Sequence, residues 1–349
     1  MFRLEQINNT TITSVPKSLI GVRIDIALSA IITDTSRNRI QSLIKDQKIK
    51  VNDNKVIVSY RLLATDKINF CDCQLAEDSQ QLGVVNTNDI TIDELQNIIP
   101  VSFDIDIIYE DEDILIINKP AGLVVHPGVN NHTNTLMNAL LAKYTHLYQV
   151  PRAGIVHRID KDTSGLLVVA KNLSAHHSLV TQLSNRLIKR LYLALAYGHL
   201  SCNGKISANI KRDRIHRNKM AITHVGGKEA VTNYKIIEYL PQITVVECSL
   251  ETGRTHQIRV HMQYLGFPLL ADPVYGQNKK AVLINQFAVD KSDTMHPLLL
   301  LNRQALHAKK LVLNHPRTGA ELNFSAPIPK DVSAVIDYLR TMPENLNKH

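Results

Sequence analysis

From residue 101 onward the chain is punctuated by short apolar or alternating runs: "FDIDIIYEDEDILIINK", "GLLVVAK", "LYLALAYG", "AVTNYKIIEYL", "ITVVECSLE" and "KKLVLNHP". Their β-branched, leucine and tyrosine content and their turn-forming boundaries mark them as strands. Helix-period patterns such as "TNTLMNALLAKY" and "SAHHSLVTQLSNR" are fewer and do not alternate with the strands one for one. Regular alternation would build a parallel sheet. This order predicts an α+β domain over 101–340 with a mixed, largely antiparallel sheet. Neither a Walker phosphate loop nor a dinucleotide fingerprint occurs, which counts against nucleotide hydrolysis and against nicotinamide or flavin chemistry. No cofactor and no metal site is expected.

Residues 21–75 read as a separate small α/β unit behind an N-terminal extension, 1–20. In "GVRIDIALSAII", Ile24, Ala27, Leu28 and Ile31 recur at helical spacing. "TSRNRIQSLIKDQ" follows, with Ser36 as the expected N-cap and Ile40, Leu43 and Ile44 on the apolar face. "KIKVNDNKV" predicts a hairpin turning at Asn52, Asp53 and Asn54. Arg37, Arg39, Lys48 and Lys50 give this unit a basic face, suited to gripping a polyanion or to staying solvated. Residues 76–100 turn polar and acidic and predict a linker with a short helix near Leu95.

The net charge of +8 is unevenly spread: +4 over residues 1–75, −11 over 76–118 and +15 over 119–349. A basic body with an acidic connector suits a polyanion partner, although a basic surface also serves solubility alone. Cys71, Cys73, Cys202 and Cys248 form no zinc spacing and no disulfide framework, as expected in a reducing cytoplasm. The chain has no run approaching about 18 consecutive apolar residues, so no membrane span is expected.

The chemistry is expected around Asp160. In "VHRIDKDTSGLLVVAK", His157, Arg158 and Lys161 crowd this aspartate, while Leu166 to Ala170 reads as a buried strand. A salt-bridged structural turn and a catalytic carboxylate both fit. Burial penalises a carboxylate's charge, and a guanidinium in contact favours it. A second basic cluster, "LETGRTHQIRVHMQYLG", offers Arg254 and Arg259 as partners, with His256 and His261 beside them. "KRLYLALAYG" places Tyr192 after Arg190 on a strand. "GKISANIKRDRIHRNKM" carries Lys205, Lys211, Arg212, Arg214, Arg217 and Lys219 against one acid, Asp213, and reads as a cationic ribbon for phosphates or as a solvated hairpin.

In this order, "NKPAGLVVHPG", "GIVHRIDKDTSGLLVVAKN", "KRLYLA", "LETGRTHQIRVH", "LLADPVYG", "RQALHA" and "APIPKD" resemble the RluA-type pseudouridine synthases. Residues 21–75 are similar to the small RNA-binding domain named after ribosomal protein S-four, through Arg23-Ile24-Asp25, the Ser36-Arg37 helix start and "KIKVNDNKV". Ile159 stands where the family more often has leucine, a swap between apolar residues.

The resemblance implies a pseudouridine-synthase fold and Asp160 as the essential aspartate, with Arg259 as its ion-pair partner. It further implies that Tyr192 stacks beside the target base and that Arg158 helps to displace it. Arg254, His256 and the cations of the ribbon and the small unit are expected to hold RNA. The implied substrate is 23S rRNA, free or within the assembling large ribosomal subunit, and a cytoplasmic monomer is expected. A sister synthase for other rRNA or tRNA uridines, or an RNA-binding assembly factor, remains open.

The reaction fits one carboxylate. Uridine's carbon–nitrogen bond breaks, the uracil turns, and it rejoins through carbon 5 without redox change or net hydrolysis. A conventional glycosidase needs a second acid to manage leaving group and water. Asp162, in the same turn, is a poor candidate. The target base must leave its stack before the carboxylate can reach its sugar.

Overall fold

The structure is a computed structural model and describes residues 11–12, 15–16, 19–32, 37–71, 95, 97–128, 131–213, 215–216, 219–276 and 278–342. The chain divides into two compact units, Met1–Asn88 and Asp89–His349. The expected Ser36 cap, the side chains of Arg37 and Arg39, nearly all of the acidic linker, Cys73, Arg214 and Arg217 lie outside the described residues.

In the first unit, strand β1 (Thr11–Ile12) is followed by helices α1 (Ile24–Ile31) and α2 (Arg37–Lys45). Strands β2 (Ile49–Val51), β3 (Asn54–Lys55) and β4 (Ile68–Phe70) complete it. The four strands form a sheet ordered β1-β4-β2-β3. Ile24, Ala27 and Leu28 of α1 and Ile40, Leu43 and Ile44 of α2 are buried together with Ile49, Val51, Ile68 and Phe70, so the helical spacing marks the face that meets the sheet. Asn52 and Asp53 join β2 to β3 at φ 52° and 61°, the paired left-handed backbone that a two-residue type I′ turn needs. Buried Asp25 ties the helices by accepting from Gln41 Nε2 at 2.6 Å and pairing with Arg23 at 3.1 Å. One boundary differs from expectation. Thr11 and Ile12, placed by sequence in an extension, pair with Ile68 and Asn69 of β4, and Val15 joins the core.

The second unit begins with strands β5 (Ile107–Glu110) and β6 (Ile114–Lys119), helix α3 (Leu136–Lys143), strand β7 (Ser164–Ala170) and helix α4 (Leu173–Ser184). Strands β8 (Lys189–Tyr197), β9 (Gly204–Ser207), β10 (Ile210–Arg212), β11 (Met220–Ile222), β12 (Val231–Leu240) and β13 (Ile243–Leu250) follow. Helices α5 (Gln257–Tyr264), α6 (Lys279–Gln286) and α7 (Pro297–Leu300) precede strands β14 (Leu306–Asn314) and β15 (Glu321–Ser325), and helix α8 (Lys330–Arg340) comes last.

Nine strands form one sheet in the order β5-β6-β7-β14-β8-β13-β12-β9, with β15 also on β14. Among the described residues only β7 and β14 of this sheet pair in parallel, through His307 opposite Ser164 and Ala308 opposite Gly165, so the sheet is mixed and largely antiparallel. Leu115 and Ile117 of β6 pack on one face with α3, and Ile114 and Ile116 pack on the other with α4. Burial on both faces explains why these strands read as unbroken apolar runs. Segment 278–303 supplies α6 and α7. With α8 these close over Leu193, Leu195 and Val245.

Candidate active site

Asp160 is set by the turn that leads into β7. Ile159 is buried in the core on its N-terminal side, and Thr163 N donates to Asp160 O at 3.1 Å. Lys161 O accepts from Gly122 N at 2.9 Å and from Lys119 Nζ at 2.8 Å. Lys119 is fully buried and also donates to the carbonyls of Pro120 and Leu123, and burial pulls its pKa down to about 7. Gly165 closes the turn at φ +112°. A Cβ there would lie 2.3 Å from Ala308 O, so the parallel junction with β14 requires glycine.

The partner arrives from α5. Arg259 Nη1 lies 3.1 Å from Asp160 Oδ2. The rest of its fork is taken by Asp272, with Nε to Oδ2 at 2.6 Å and Nη2 to Oδ1 at 2.8 Å. Asp272 is itself anchored, because Oδ1 accepts from the backbone N–H groups of Val274 and Tyr275. Beside the guanidinium stands the Tyr275 ring, 5.1 Å from Cζ to centroid. Burial works against the charge on Arg259, but its bonds to Asp272 and the charges of Asp272 and Asp160 outweigh burial and raise its pKa. Among the described residues, Oδ1 of Asp160 has no hydrogen-bond partner, and the carboxylate is 19% exposed. An anchored guanidinium thus presents one carboxylate, with one oxygen open, to the cleft.

Asp160, Arg259, Tyr192, Arg158, Arg254 and His256 line a single cleft, although they come from segments spread over about a hundred residues. Tyr192 is 5% exposed, and burial pushes its hydroxyl up to about 12. Gln257 organises the rim: its side chain accepts from Arg254 N and Thr252 Oγ1 and donates to Val231 O and Thr232 Oγ1. Arg254 spends Nε on Glu229 O at 2.8 Å. His256, at a left-handed φ of 56°, meets the Tyr275 hydroxyl through Nδ1 at 2.9 Å, and burial lowers its pKa.

Part of the stretch expected as a cationic ribbon over 205–219 pairs with residues beyond it. Strands β10 and β11 pair as a two-stranded ribbon, with Lys211 opposite Ala221 and Arg212 opposite Met220. Met220 N donates to the Tyr275 hydroxyl at 2.8 Å, which docks the ribbon, and Lys219 next to it, beside the Arg259 cluster. Lys205 does not belong to the ribbon. It lies on β9 in the main sheet and pairs with Glu251 at 2.9 Å. Lys48 and Lys50 lie at β2 of the first unit. Asp272, Tyr275 and Gln257 received no role from sequence. The available signal was Asp272 alone in the apolar run "LLADPVYG", since an acid in such a run needs a partner.

The family model for RNA pseudouridylate synthase matches residues 113–264, which contain Asp160, Tyr192 and Arg259. The chain is 44% identical over 329 residues to ribosomal large subunit pseudouridine synthase D of Neisseria meningitidis serogroup B, covering 94% of this chain and 81% of that protein. It is 42% identical over 327 residues to the protein of the same name from Escherichia coli K12, covering 94% and 93%. An uncharacterized RNA pseudouridine synthase of Bacillus subtilis, YlyB, is 42% identical over 322 residues, covering 91% and 94%. Among solved structures, Human RNA Pseudouridylate Synthase Domain Containing 4 superposes with a TM-score of 0.52 at 25% identity, over 68% of this chain and 95% of that one. On this agreement of sequence and fold, the chain belongs to the RNA pseudouridylate synthases, in their RluA-type branch.

Proposed function

We propose that this isomerase converts uridines of 23S rRNA to pseudouridine, with Asp160 as the group that acts on the sugar. The observation that carries the role is the partly exposed carboxylate held at 3.1 Å by a guanidinium that Asp272 fixes from behind. The anion is the useful form whether Asp160 attacks the anomeric carbon or removes the neighbouring ribose proton. Tyr192 offers its ring to the target base, and Arg158, exposed at the cleft mouth, fills the space the base vacates. Arg254, His256, Lys211, Arg212 and Lys219 hold flanking phosphates, along with Arg214 and Arg217. The first unit is a second RNA grip of the S-four kind, acting through Arg37, Arg39, Lys48 and Lys50. Phosphate contacts set against an unstacking cost of a few kcal/mol give these side chains, cationic apart from His256, their purpose.

The large-subunit substrate is supported by the names of the relatives from Neisseria meningitidis and Escherichia coli. Free rRNA or an assembling subunit, a monomer and a cytoplasmic setting complete the proposal. No helix among the described residues is long and apolar enough to cross a membrane.

The test is tritium release from carbon 5 of uridine-labelled RNA. Wild type should release tritium from 23S rRNA or from assembling large subunits, and Asp160→Ala should release none. Release only from transfer RNA or small-subunit RNA would move the substrate to a sister class. Unchanged release by Asp160→Ala would remove the aspartate from the chemistry.

A further inference from the structure

One buried cation in the cleft has no hydrogen-bond or ion-pair partner among the described residues. Arg190 lies two residues before Tyr192 on β8, so both side chains project from the same face of the strand and line the same cleft as Asp160. Arg190 is only 8% exposed. Its Nε is buried without a hydrogen bond, and among the described residues no carboxylate pairs with its guanidinium. The side chain packs against Gly253, where a Cβ would stand 2.8 Å from Nη1, so a residue without a side chain makes room for it. Burial lowers its pKa, outweighing the opposing influence of Tyr192, and the neighbouring charge of Arg254 adds to the lowering. A buried, unpaired guanidinium costs folding energy and is accounted for when a ligand supplies the missing charge.

The position distinguishes which part of the RNA supplies it. Arg158 is exposed and Arg254 half-buried, both open to a backbone phosphate. Arg190 is buried two residues from Tyr192 in the same cleft and better suited to a group that enters it. Resting on the pseudouridine-synthase assignment, we infer that Arg190 donates a hydrogen bond to a carbonyl oxygen of the flipped uracil and stabilises the negative charge the base carries once detached from the ribose. On either route the electron pair of the C1′–N1 bond leaves with the base, spreading over N1, O2 and O4. C1′ is meanwhile bonded to the Asp160 carboxylate, or has become part of a glycal by losing the C2′ proton. The pair is returned when C5 bonds to C1′, as the bond from C1′ to Asp160 breaks or the C2′ proton goes back from Asp160 to the glycal; the C5 proton then leaves to solvent and N1 takes one up. Fixed charge in a desolvated site is most effective against such transient charge.

The experiment compares wild type, Arg190→Met and Arg190→Lys in single-turnover tritium release at saturating enzyme, with RNA affinity and thermal midpoint measured alongside. Arg190→Met should be about 10²–10³-fold slower, as for loss of one preorganised donor to a developing anion. Its RNA dissociation constant should stay within about threefold of wild type, and its thermal midpoint should equal or exceed wild type because an unpaired buried charge is gone. Arg190→Lys should recover part of the rate. On RNA carrying 5-fluorouridine, whose fluorine stabilises the departing base, conversion of the nucleoside should show a smaller Arg190→Met defect than on uridine.

A rate within threefold of wild type overturns the inference. So does a defect explained by weaker RNA binding, which would make Arg190 a phosphate contact, or a lowered midpoint with equal defects on both substrates, which would make it structural. Wild type inactive on every RNA would instead refute the assignment of the family's reaction to this chain.

Discussion

Replacing Asp272 by asparagine is expected to damage both stability and catalysis, although among the described contacts Asp272 reaches the proposed catalytic carboxylate of Asp160 only through Arg259. Its oxygens accept four hydrogen bonds, two from Arg259 at 2.6 and 2.8 Å and two from the backbone of Val274 and Tyr275 at 2.9 and 3.0 Å. Asparagine retains one oxygen. If it stays with the two backbone donors, the amide nitrogen faces Arg259 Nε, donor against donor. Removing one partner of a buried pair costs about 3–5 kcal/mol. Because Arg259 keeps Asp160, the lower end, about 3 kcal/mol, is expected. With the fork no longer fixed, a shift of about 1 Å at Asp160 is enough to lose about 10²-fold in rate. Urea midpoints would read the first effect and single-turnover tritium release the second. A cycle with Arg259→Met should give a coupling of about 2–3 kcal/mol, since the two side chains act as a unit. A stability loss below about 1 kcal/mol together with a rate within threefold of wild type would refute the claim that Asp272 positions Arg259.

Gly165→Ala should cost about 3 kcal/mol or more, from a clash with Ala308 O at 2.3 Å and a positive φ, measured as a lowered urea midpoint. His157 is buried and its Nε2 accepts from Val168 N–H at 3.1 Å, so burial lowers its pKa and the folded chain resists its protonation. Its contribution to stability is complete above about pH 6.5 and is lost by about 1.4 kcal/mol per unit as pH falls below that, because the unfolded chain takes up the proton first. His157→Asn should therefore reduce the stability difference between pH 7.5 and pH 5 by about 2 kcal/mol in urea titrations at both pH values. Lys211→Ala with Arg212→Ala should weaken RNA binding and flatten the plot of log affinity against log salt by about 0.7 for each phosphate left without its cation.

The strand-rich plan and the two helices of the first unit were legible because a strand buried on both faces reads as an unbroken apolar run and a helix packed on one face repeats every 3.6 residues. Ile114 to Ile117 and Ile24, Ala27 and Leu28 are examples. Asp160 and Arg259 were legible as residue types in distinctive local patterns, and the family resemblance coupled them across a separation of 99 residues. Asp272 was not legible as a positioning group, because nothing local says that a lone acid in "LLADPVYG" faces a guanidinium on the preceding helix. Arg190 was hidden for the opposite reason. A basic residue at a strand's start looks solvated, and its isolation emerges only when β8, β13 and the loop at Gly253 are packed together. The ribbon's limits were misjudged because Lys205 and Lys211 have the same chemistry and differ only in which strand pairs with their own.

The parallel pairing of β7 with β14 has a consequence for how the enzyme comes into being. β14 inserts between β7 and β8, and Ser164 meets His307 across 143 residues of sequence at 3.0 Å. The turn bearing Asp160 is also secured from that late segment, by Arg303 to Asp162 O and Gln304 to Thr163 Oγ1. During synthesis the residues proposed to act on the uridine emerge long before the strand that fixes their turn, and pairings of such long range form slowly. The contacts that secure the Asp160 turn are therefore completed late, and a chain ending before Leu306 carries every cleft side chain of the proposed mechanism while lacking strand β14.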